Sequence, residues 1–193
     1  MSGPLIERIH AAAAANPAAP AFIFQDRILT YAQFLSLIRA TARLLHDRGV
    51  RPGDTVGLSM GRWPMHCVAF LALARLGALS LPLPRNLTPE AGRALAARFG
   101  VSTVVSNWQD APVPPGARLL LLDSMSLDDA AVELDPGGYQ PDERTAVRGA
   151  LTSGTTGARR GVIHTHASFA QRVDLTALDC DQHSRLLPPD LHI

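Results

Sequence analysis

Residues 55–83 read TVGLSMGRWPMHCVAFLALARLGALSLPL, and the pattern of the fold is clearest here. Its first five residues, 55–59, are mostly apolar and follow a turn-rich segment, which predicts a short buried strand. The segment 64–76 is long and apolar enough to form a buried helix, and Gly77 is typical of the residue that follows a helix end. Residues 78–83 predict a second strand. Strand, helix and strand in this order form the unit of a parallel sheet.

The same alternation continues downstream. Residues 88–90 (TPE) are typical of a helix N-terminus, and this helix is predicted to reach Phe99. Further strands are predicted over 101–105, over 119–122 and near 146–151. The sequence therefore predicts an α/β fold with a mostly parallel sheet flanked by helices. In such sheets, ligands bind where the strands end at their carboxyl edge.

Upstream of this unit, the pattern predicts a helix over 5–15 and a small hairpin formed by 21–24 and 28–29. Thr30 and Gln33 have the spacing of a capping box, so a helix is expected to begin directly after Thr30. The apolar residues of this helix recur every three or four positions, which predicts one face packed on a core.

Composition excludes several classes of function. The 193 residues carry 18 basic and 17 acidic side chains, a net charge of +1, so neither nucleic acid nor an anionic membrane is an expected partner. The most apolar stretch contains Arg75 and two prolines, which disfavours membrane insertion. Cys67 and Cys180 lie far apart and predict reduced thiols, hence a cytoplasmic location.

The chemistry is expected in residues 152–157, TSGTTG, which are followed by ARRGV. Glycines let backbone N–H groups approach an oxyanion, and hydroxyls and arginines add donors and charge, so the segment predicts a phosphate-binding loop. Its glycine spacing fits neither the GxxxxGK[ST] loop of P-loop kinases nor the GxGxxG turn of dinucleotide-binding folds. From composition alone, a solvated turn is the alternative.

This loop resembles the phosphate loop of the adenylate-forming superfamily, which includes acyl- and aryl-CoA synthetases, nonribosomal peptide synthetase adenylation domains and luciferases. Residues 152–157 match the family pattern one by one, and residues 161–162 (GV) and 165–166 (TH) match its continuation. His166 is expected to orient the loop.

Other segments agree with this resemblance, and a few depart from it. Residues 27–31, 49–54 and 73–82 resemble family motifs, so the likeness covers most of residues 17–193. The three departures from the family pattern are an arginine in place of the loop lysine (Arg160), an arginine in place of a proline (Arg159), and a polar pair in the preceding strand (Arg148 and Gly149). Glycine within a strand predicts looser packing there.

The resemblance implies that residues 1–193 form a single partial domain, the incomplete N-terminal part of the large domain of an adenylate-forming enzyme. Family members are longer. Their adenine and magnesium motif, ribose-binding aspartate and small C-terminal domain with its catalytic lysine have no counterpart here. No catalytic residue is assigned, and whether this chain is an enzyme by itself stays open.

The implied reaction is ATP-dependent carboxylate activation: an acyl-adenylate forms, and a thioester follows. ATP and Mg²⁺ are the implied cofactors, with CoA or phosphopantetheine as acyl acceptor and a small-molecule carboxylate or a carrier protein as partner. The residues expected to bind the phosphates are Thr152, Ser153, Gly154, Thr155, Thr156, Gly157 and Arg160.

Three further expectations complete this interpretation. The alternative to a ligase is a non-catalytic, truncated nucleotide-binding or interaction module. An apolar face left exposed by the missing part is expected to cause self-association. His164 and His166 lack cysteine or carboxylate neighbours at ligand spacing, so no metal site is predicted.

Overall fold

A computed structural model describes residues 4–24, 27–61, 64–84, 88–122, 142–151 and 161–184. These residues form five helices and eight strands, in this order: α1 (Pro4–Ala15), β1 (Pro20–Phe24), β2 (Arg27–Thr30), α2 (Tyr31–Asp47), β3 (Thr55–Ser59), α3 (Pro64–Leu76), β4 (Leu79–Pro82), α4 (Pro89–Arg98), β5 (Thr103–Ser106), β6 (Arg118–Leu121), β7 (Ala146–Leu151), β8 (Gly161–Thr165) and α5 (His166–Ser184).

The central sheet has six strands in the order β6-β5-β3-β4-β7-β8. All neighbouring pairs are parallel except β7 and β8, which are antiparallel. The prediction of a mostly parallel sheet with helices around it is therefore confirmed. The strands β1 and β2 form the separate antiparallel hairpin that the sequence predicts.

Side-chain caps fix where two of the helices begin. The Gln33 backbone N–H donates to Thr30 Oγ1 at 3.3 Å, and the Thr30 N–H donates to Gln33 Oε1 at 3.0 Å. This reciprocal pair is the predicted capping box of α2. At α4, the Ala91 N–H donates to Thr88 Oγ1 at 3.2 Å. Both helix starts thus satisfy backbone donors that have no partner inside the helix.

Two apolar cores cover the sheet. The larger core joins buried residues of α1, α2, α3 and α5 to sheet residues such as Val56 and Leu58. The smaller core packs Leu95 and Ala96 of α4 on Leu81 and Val104. Side chains of successive strand residues point to opposite faces, so one sheet supports both cores.

The strand β7 is held more closely than its sequence predicts. Gly149 is buried, and a Cβ at this position would come within 2.8 Å of Leu81 Cδ1. Glycine therefore permits close contact between β7 and β4, so the prediction of looser packing is wrong at this residue. The sequence interpretation did not include β8 or α5.

Within the described residues, no helix is both long and apolar enough to cross a membrane.

Candidate phosphate-binding site

The predicted phosphate-binding residues, Thr152 to Gly157 and Arg160, lie outside the described residues. Their binding role therefore stays a prediction. The structure does describe the two strands that the segment 152–160 connects, and these determine where the segment starts and ends.

The strands β7 and β8 form an antiparallel hairpin in which Leu151 pairs directly with Gly161. The segment 152–160 thus leaves and re-enters the sheet at neighbouring positions. Because β7 is parallel to β4, and β4 is parallel to β3, Leu151 lies at the carboxyl edge of the parallel strands. This is the edge at which α/β sheets bind ligands, as expected from the sequence.

Gly161, the first residue of β8, is packed against α4. A Cβ at this position would overlap the Phe99 ring, which follows the last turn of α4. Only a residue without a side chain fits here unless the ring moves. The downstream end of the segment 152–160 is therefore held by a close contact between backbone and ring.

Arg148 supports the hairpin on the face of the sheet opposite to Gly161 and Phe99. Its guanidinium carbon lies 5.0 Å from the centre of the Phe70 ring, and that ring lies 5.1 Å from the Phe169 ring. A guanidinium over an aromatic face is favoured electrostatically. Burial lowers the pKa of Arg148, although an arginine remains charged. The contact joins β7 to α3 and α5.

His166 holds the junction between β8 and α5. Its backbone N–H donates to the Thr145 carbonyl at 3.0 Å, and its side chain is fully buried. Among the described residues, neither ring nitrogen has a hydrogen-bond partner. Burial lowers the pKa of His166, while the Ala74 carbonyl, lying outside hydrogen-bond geometry, opposes this effect. The ring is therefore neutral at pH 7, and its expected role in orienting the loop stays a prediction.

A polar network lies at the same carboxyl edge, two strands away from the hairpin. Ser106 Oγ donates to the Ser59 carbonyl at 2.7 Å, and Trp108 Nε1 donates to Ser59 Oγ at 3.2 Å. The Gly61 N–H donates to Asn107 Oδ1 at 3.4 Å. The sequence interpretation missed this network, although both β3 and β5 end in a serine. Among the described residues, no three His, Cys, Asp or Glu side chains lie together as metal ligands would.

The chain belongs to the family of AMP-binding enzymes, because residues 9–190 match that family. It is 31% identical over 184 residues to the long-chain-fatty-acid–CoA ligase FadD13 of Mycobacterium tuberculosis, which covers 85% of this chain and 35% of the ligase. It is 28% identical over 155 residues to bacitracin synthase 1 of Bacillus licheniformis, which covers 77% of this chain and 3% of the synthase.

A solved structure shows the same fold. The N-terminal subdomain of Klebsiella oxytoca NpsA superposes with a TM-score of 0.74 at 22% sequence identity, over 84% of this chain and 42% of that one. The resemblance to adenylate-forming enzymes is thus confirmed at the level of family and fold. The chain spans about a third of the ligase and a few per cent of the synthase.

Proposed function

We propose that this chain supplies the phosphate-binding loop for ATP-dependent activation of a carboxylic acid. The main observation that supports this proposal is the direct pairing of Leu151 with Gly161 at the carboxyl edge of the parallel strands. It fixes both ends of a segment whose sequence resembles that of a phosphate loop. Membership in the AMP-binding family supports the same conclusion.

The donors in this segment suit a polyphosphate. Thr152, Ser153, Thr155 and Thr156 offer hydroxyl donors, and the glycines offer accessible N–H groups. Arg160 adds a fixed positive charge, and its planar guanidinium can bind two phosphate oxygens at once. A lysine at this position would offer only a single point charge.

In the proposed reaction, a substrate carboxylate attacks the α-phosphate of ATP, and pyrophosphate leaves. The loop holds the β- and γ-phosphates and so stabilises the negative charge that develops on the leaving group. The substrate itself provides the nucleophile. Mg²⁺ bound to ATP would neutralise part of the same charge, and the described residues of this chain supply no metal-binding cluster.

The acyl acceptor is proposed to be the thiol of CoA or of a carrier-bound phosphopantetheine. Support comes from two relatives, a long-chain-fatty-acid–CoA ligase and bacitracin synthase 1. We also propose that residues 1–193 are one part of a larger domain, because the 84% of this chain that aligns with the NpsA subdomain covers only 42% of that structure. A cytoplasmic location is proposed because the two cysteines, Cys67 and Cys180, lie far apart in sequence and a chain of this size does not need a disulfide.

Two adjacent arginines provide a matched test of the loop. Arg160→Ala is expected to weaken ATP binding about tenfold to a hundredfold, since hydrogen bonds to charged groups contribute roughly 1.5–3 kcal/mol. AMP lacks the β- and γ-phosphates, so its affinity is expected to change little. Arg159→Ala is the control. Calorimetric titration that shows equal losses of ATP and AMP affinity would contradict the assigned role of Arg160.

Catalysis by the 193-residue chain alone is a separate question. We expect ATP binding but no carboxylate-dependent exchange of pyrophosphate into ATP, because the chain lacks the adenine, ribose and lysine motifs of the family. Exchange by the purified chain would overturn the proposal that a further part is needed. A chain that binds ATP and shows no exchange would fit both this proposal and the alternative of a non-catalytic module.

Self-association is proposed to occur through β8, the strand at one edge of the sheet. Ile163 is 57% exposed and Val162 is 44% exposed, on opposite faces of this strand. Edge strands with apolar residues favour pairing with another chain. Ile163→Lys is expected to lower the apparent mass in sedimentation, whereas Gln171→Lys on α5 is not. Equal masses for all three proteins would argue against this surface.

A further inference from the structure

The helix α1 lies outside the central sheet and packs on three other helices, α2, α3 and α5. Among residues 5–15, Leu5 and Ile6 are buried, and Ile9 is partly buried against the larger core. A terminal helix with few buried apolar side chains opens at a lower free energy than the whole fold. The polar contacts of α1 therefore influence whether this helix is docked.

One of these polar contacts joins α1 to α2 through the imidazole ring of His10. Arg39 Nη2 on α2 lies 3.5 Å from His10 Nδ1. A guanidinium can only donate hydrogen bonds, so Nδ1 is the acceptor, and the ring is the neutral tautomer with its hydrogen on Nε2. This contact therefore exists only while Nδ1 carries no proton.

Protonation of His10 turns the same contact into repulsion. Nδ1 then carries a hydrogen that faces a donor, and two positively charged side chains lie in contact. The other ring nitrogen, Nε2, is buried and has no hydrogen-bond partner among the described residues, so it does not compensate for the lost bond.

The other charged groups near His10 leave the balance unfavourable for a proton. Arg75 on α3 adds a second positive charge, and Glu7 on α1 itself is the opposing negative charge. The carboxylate that α5 presents to α1, Asp174, is already paired with Arg8. Burial and the two arginines lower the pKa of His10 more than Glu7 raises it.

We propose that His10 makes the docking of α1 sensitive to acid. With His10 neutral, its Nδ1 accepts the hydrogen bond from Arg39, and α1 packs on α2 and α3. With His10 protonated, Arg39 and Arg75 repel the ring, and α1 detaches while the central sheet stays folded. This conformational change uses none of residues 152–160, so it is independent of the proposed ATP-binding function.

The direction of the pH effect follows from where the proton binds. In the detached helix the pKa of His10 is near its usual value of 6.5, and in the docked helix it is lower. The docked state is therefore fully favoured above about pH 6.5 and loses stability as pH falls toward the lower pKa. Between pH 7.0 and 5.5, the constant for opening of α1 is expected to increase about threefold to eightfold.

Hydrogen–deuterium exchange of the 193-residue chain at the two pH values, corrected for intrinsic exchange rates, measures this opening. We expect the amides of α1 to open more readily than those of α3 around the buried Leu73, and the α1 opening constant to rise at pH 5.5. Equal opening constants in α1 and α3 at both pH values would mean that α1 opens only with the whole fold. That result, or an α1 opening constant independent of pH, would overturn the proposal.

Two histidine-to-glutamine variants provide the matched comparison. The glutamine carbonyl can accept a hydrogen bond from Arg39 at any pH, so His10→Gln is expected to change the α1 opening constant less than about 1.5-fold between pH 7.0 and 5.5. His46→Gln is the control, because the ring of His46 lies beside Asp47 near the end of α2, and it is expected to retain the full increase. An increase that survives in His10→Gln would overturn the role of His10.

Arg39→Gln tests the charge that faces the ring. A neutral amide does not repel protonated His10, and its carbonyl can accept the Nδ1 hydrogen. The increase in the α1 opening constant at pH 5.5 is therefore expected to fall by at least about half, with the rest due to Arg75. An unchanged increase in Arg39→Gln would contradict the proposal, as would imidazole NMR signals of His10 that titrate at or above pH 6.5 in the docked chain.

Discussion

The β3–α3–β4 unit and the β7–β8 hairpin lie side by side in one sheet but are stabilised by different contacts. In the first, Leu58 and Leu73 are almost completely buried in the larger core. In the second, Ile163 is more than half exposed, and the structure is held by particular close contacts. These are Gly149 against Leu81, Gly161 against Phe99 and Arg148 against Phe70.

This difference matters for the loop. Apolar burial is non-directional and tolerates small shifts, whereas a glycine packed against a ring fixes the backbone at one point. The segment 152–160 is attached to the region of the second kind. We therefore expect stability to depend mainly on the β3–α3–β4 unit, and the placement of the loop to depend on the hairpin contacts.

The largest effect is expected from truncating the core of the β3–α3–β4 unit. Leu73 is fully buried, so Leu73→Ala removes apolar burial and leaves a cavity, at a cost of about 2–5 kcal/mol in the free energy of unfolding. Ile163→Ala in the hairpin is expected to change it by less than about 0.5 kcal/mol. Urea denaturation measures both, and similar losses would remove the distinction between the two regions.

A smaller effect is expected from Gly161→Ala. The new Cβ overlaps the Phe99 ring, and such overpacking costs about 1–3 kcal/mol. Adding Phe99→Leu provides room and is expected to recover part of this loss, which appears as a coupling free energy in a double-mutant cycle. Additive losses in urea denaturation would show that the two residues do not limit each other. ATP binding by Gly161→Ala is expected to weaken as well.

Acid is expected to destabilise the hairpin junction through His166. Burial lowers the pKa of His166 below its usual 6.5, so the unfolded chain binds a proton that the folded chain does not. Its contribution to stability is therefore complete above pH 6.5 and decreases as pH falls, by at most about 1.4 kcal/mol per pH unit.

The matched comparison is with His66, whose pKa burial also lowers and which is only half-buried. His166→Gln is expected to reduce the loss of stability between pH 6.5 and 5.5 more than His66→Gln does. Urea midpoints at the two pH values provide the measurement. An unchanged pH dependence in His166→Gln would mean that the ring takes up its proton in the folded chain.

The smallest effect is expected at the contact between α1 and α5. Arg8 Nη2 donates to Asp174 Oδ2 at 2.8 Å, and both side chains are about half exposed. Exposed ion pairs contribute little and are screened by salt. Asp174→Asn is expected to leave the urea midpoint within experimental error at 0.5 M NaCl. A clear loss of stability at high salt would mean that the Arg8–Asp174 contact makes a larger contribution to holding α5 against α1.

Much of the β3–α3–β4 unit could be predicted from sequence, because its helix and strands follow the periodic pattern of apolar residues. The helix α3 and the strands around it follow the pattern of apolar residues and the glycine and proline stops. The capping box at Thr30 was also predictable, because it depends on two residues close in the chain.

The hairpin was less predictable because its contacts join residues far apart in sequence. Gly149 looks unfavourable in a strand until Leu81 is seen beside it, and the need for Gly161 depends on Phe99. The antiparallel β8 interrupts the parallel pattern, and nothing in its five residues indicates which strand it pairs with. The loop itself was identified by resemblance to a family motif, and its binding role remains a prediction.

The most direct test is a titration of the ¹⁵N-labelled chain with pyrophosphate, followed through its backbone amide signals. We predict that the largest shifts occur at residues 152–157 and 160, and that they become much weaker in Arg160→Ala. Shifts confined to other residues, with the amide signals of 152–157 unchanged at saturation, would contradict the claim that this segment binds the phosphates.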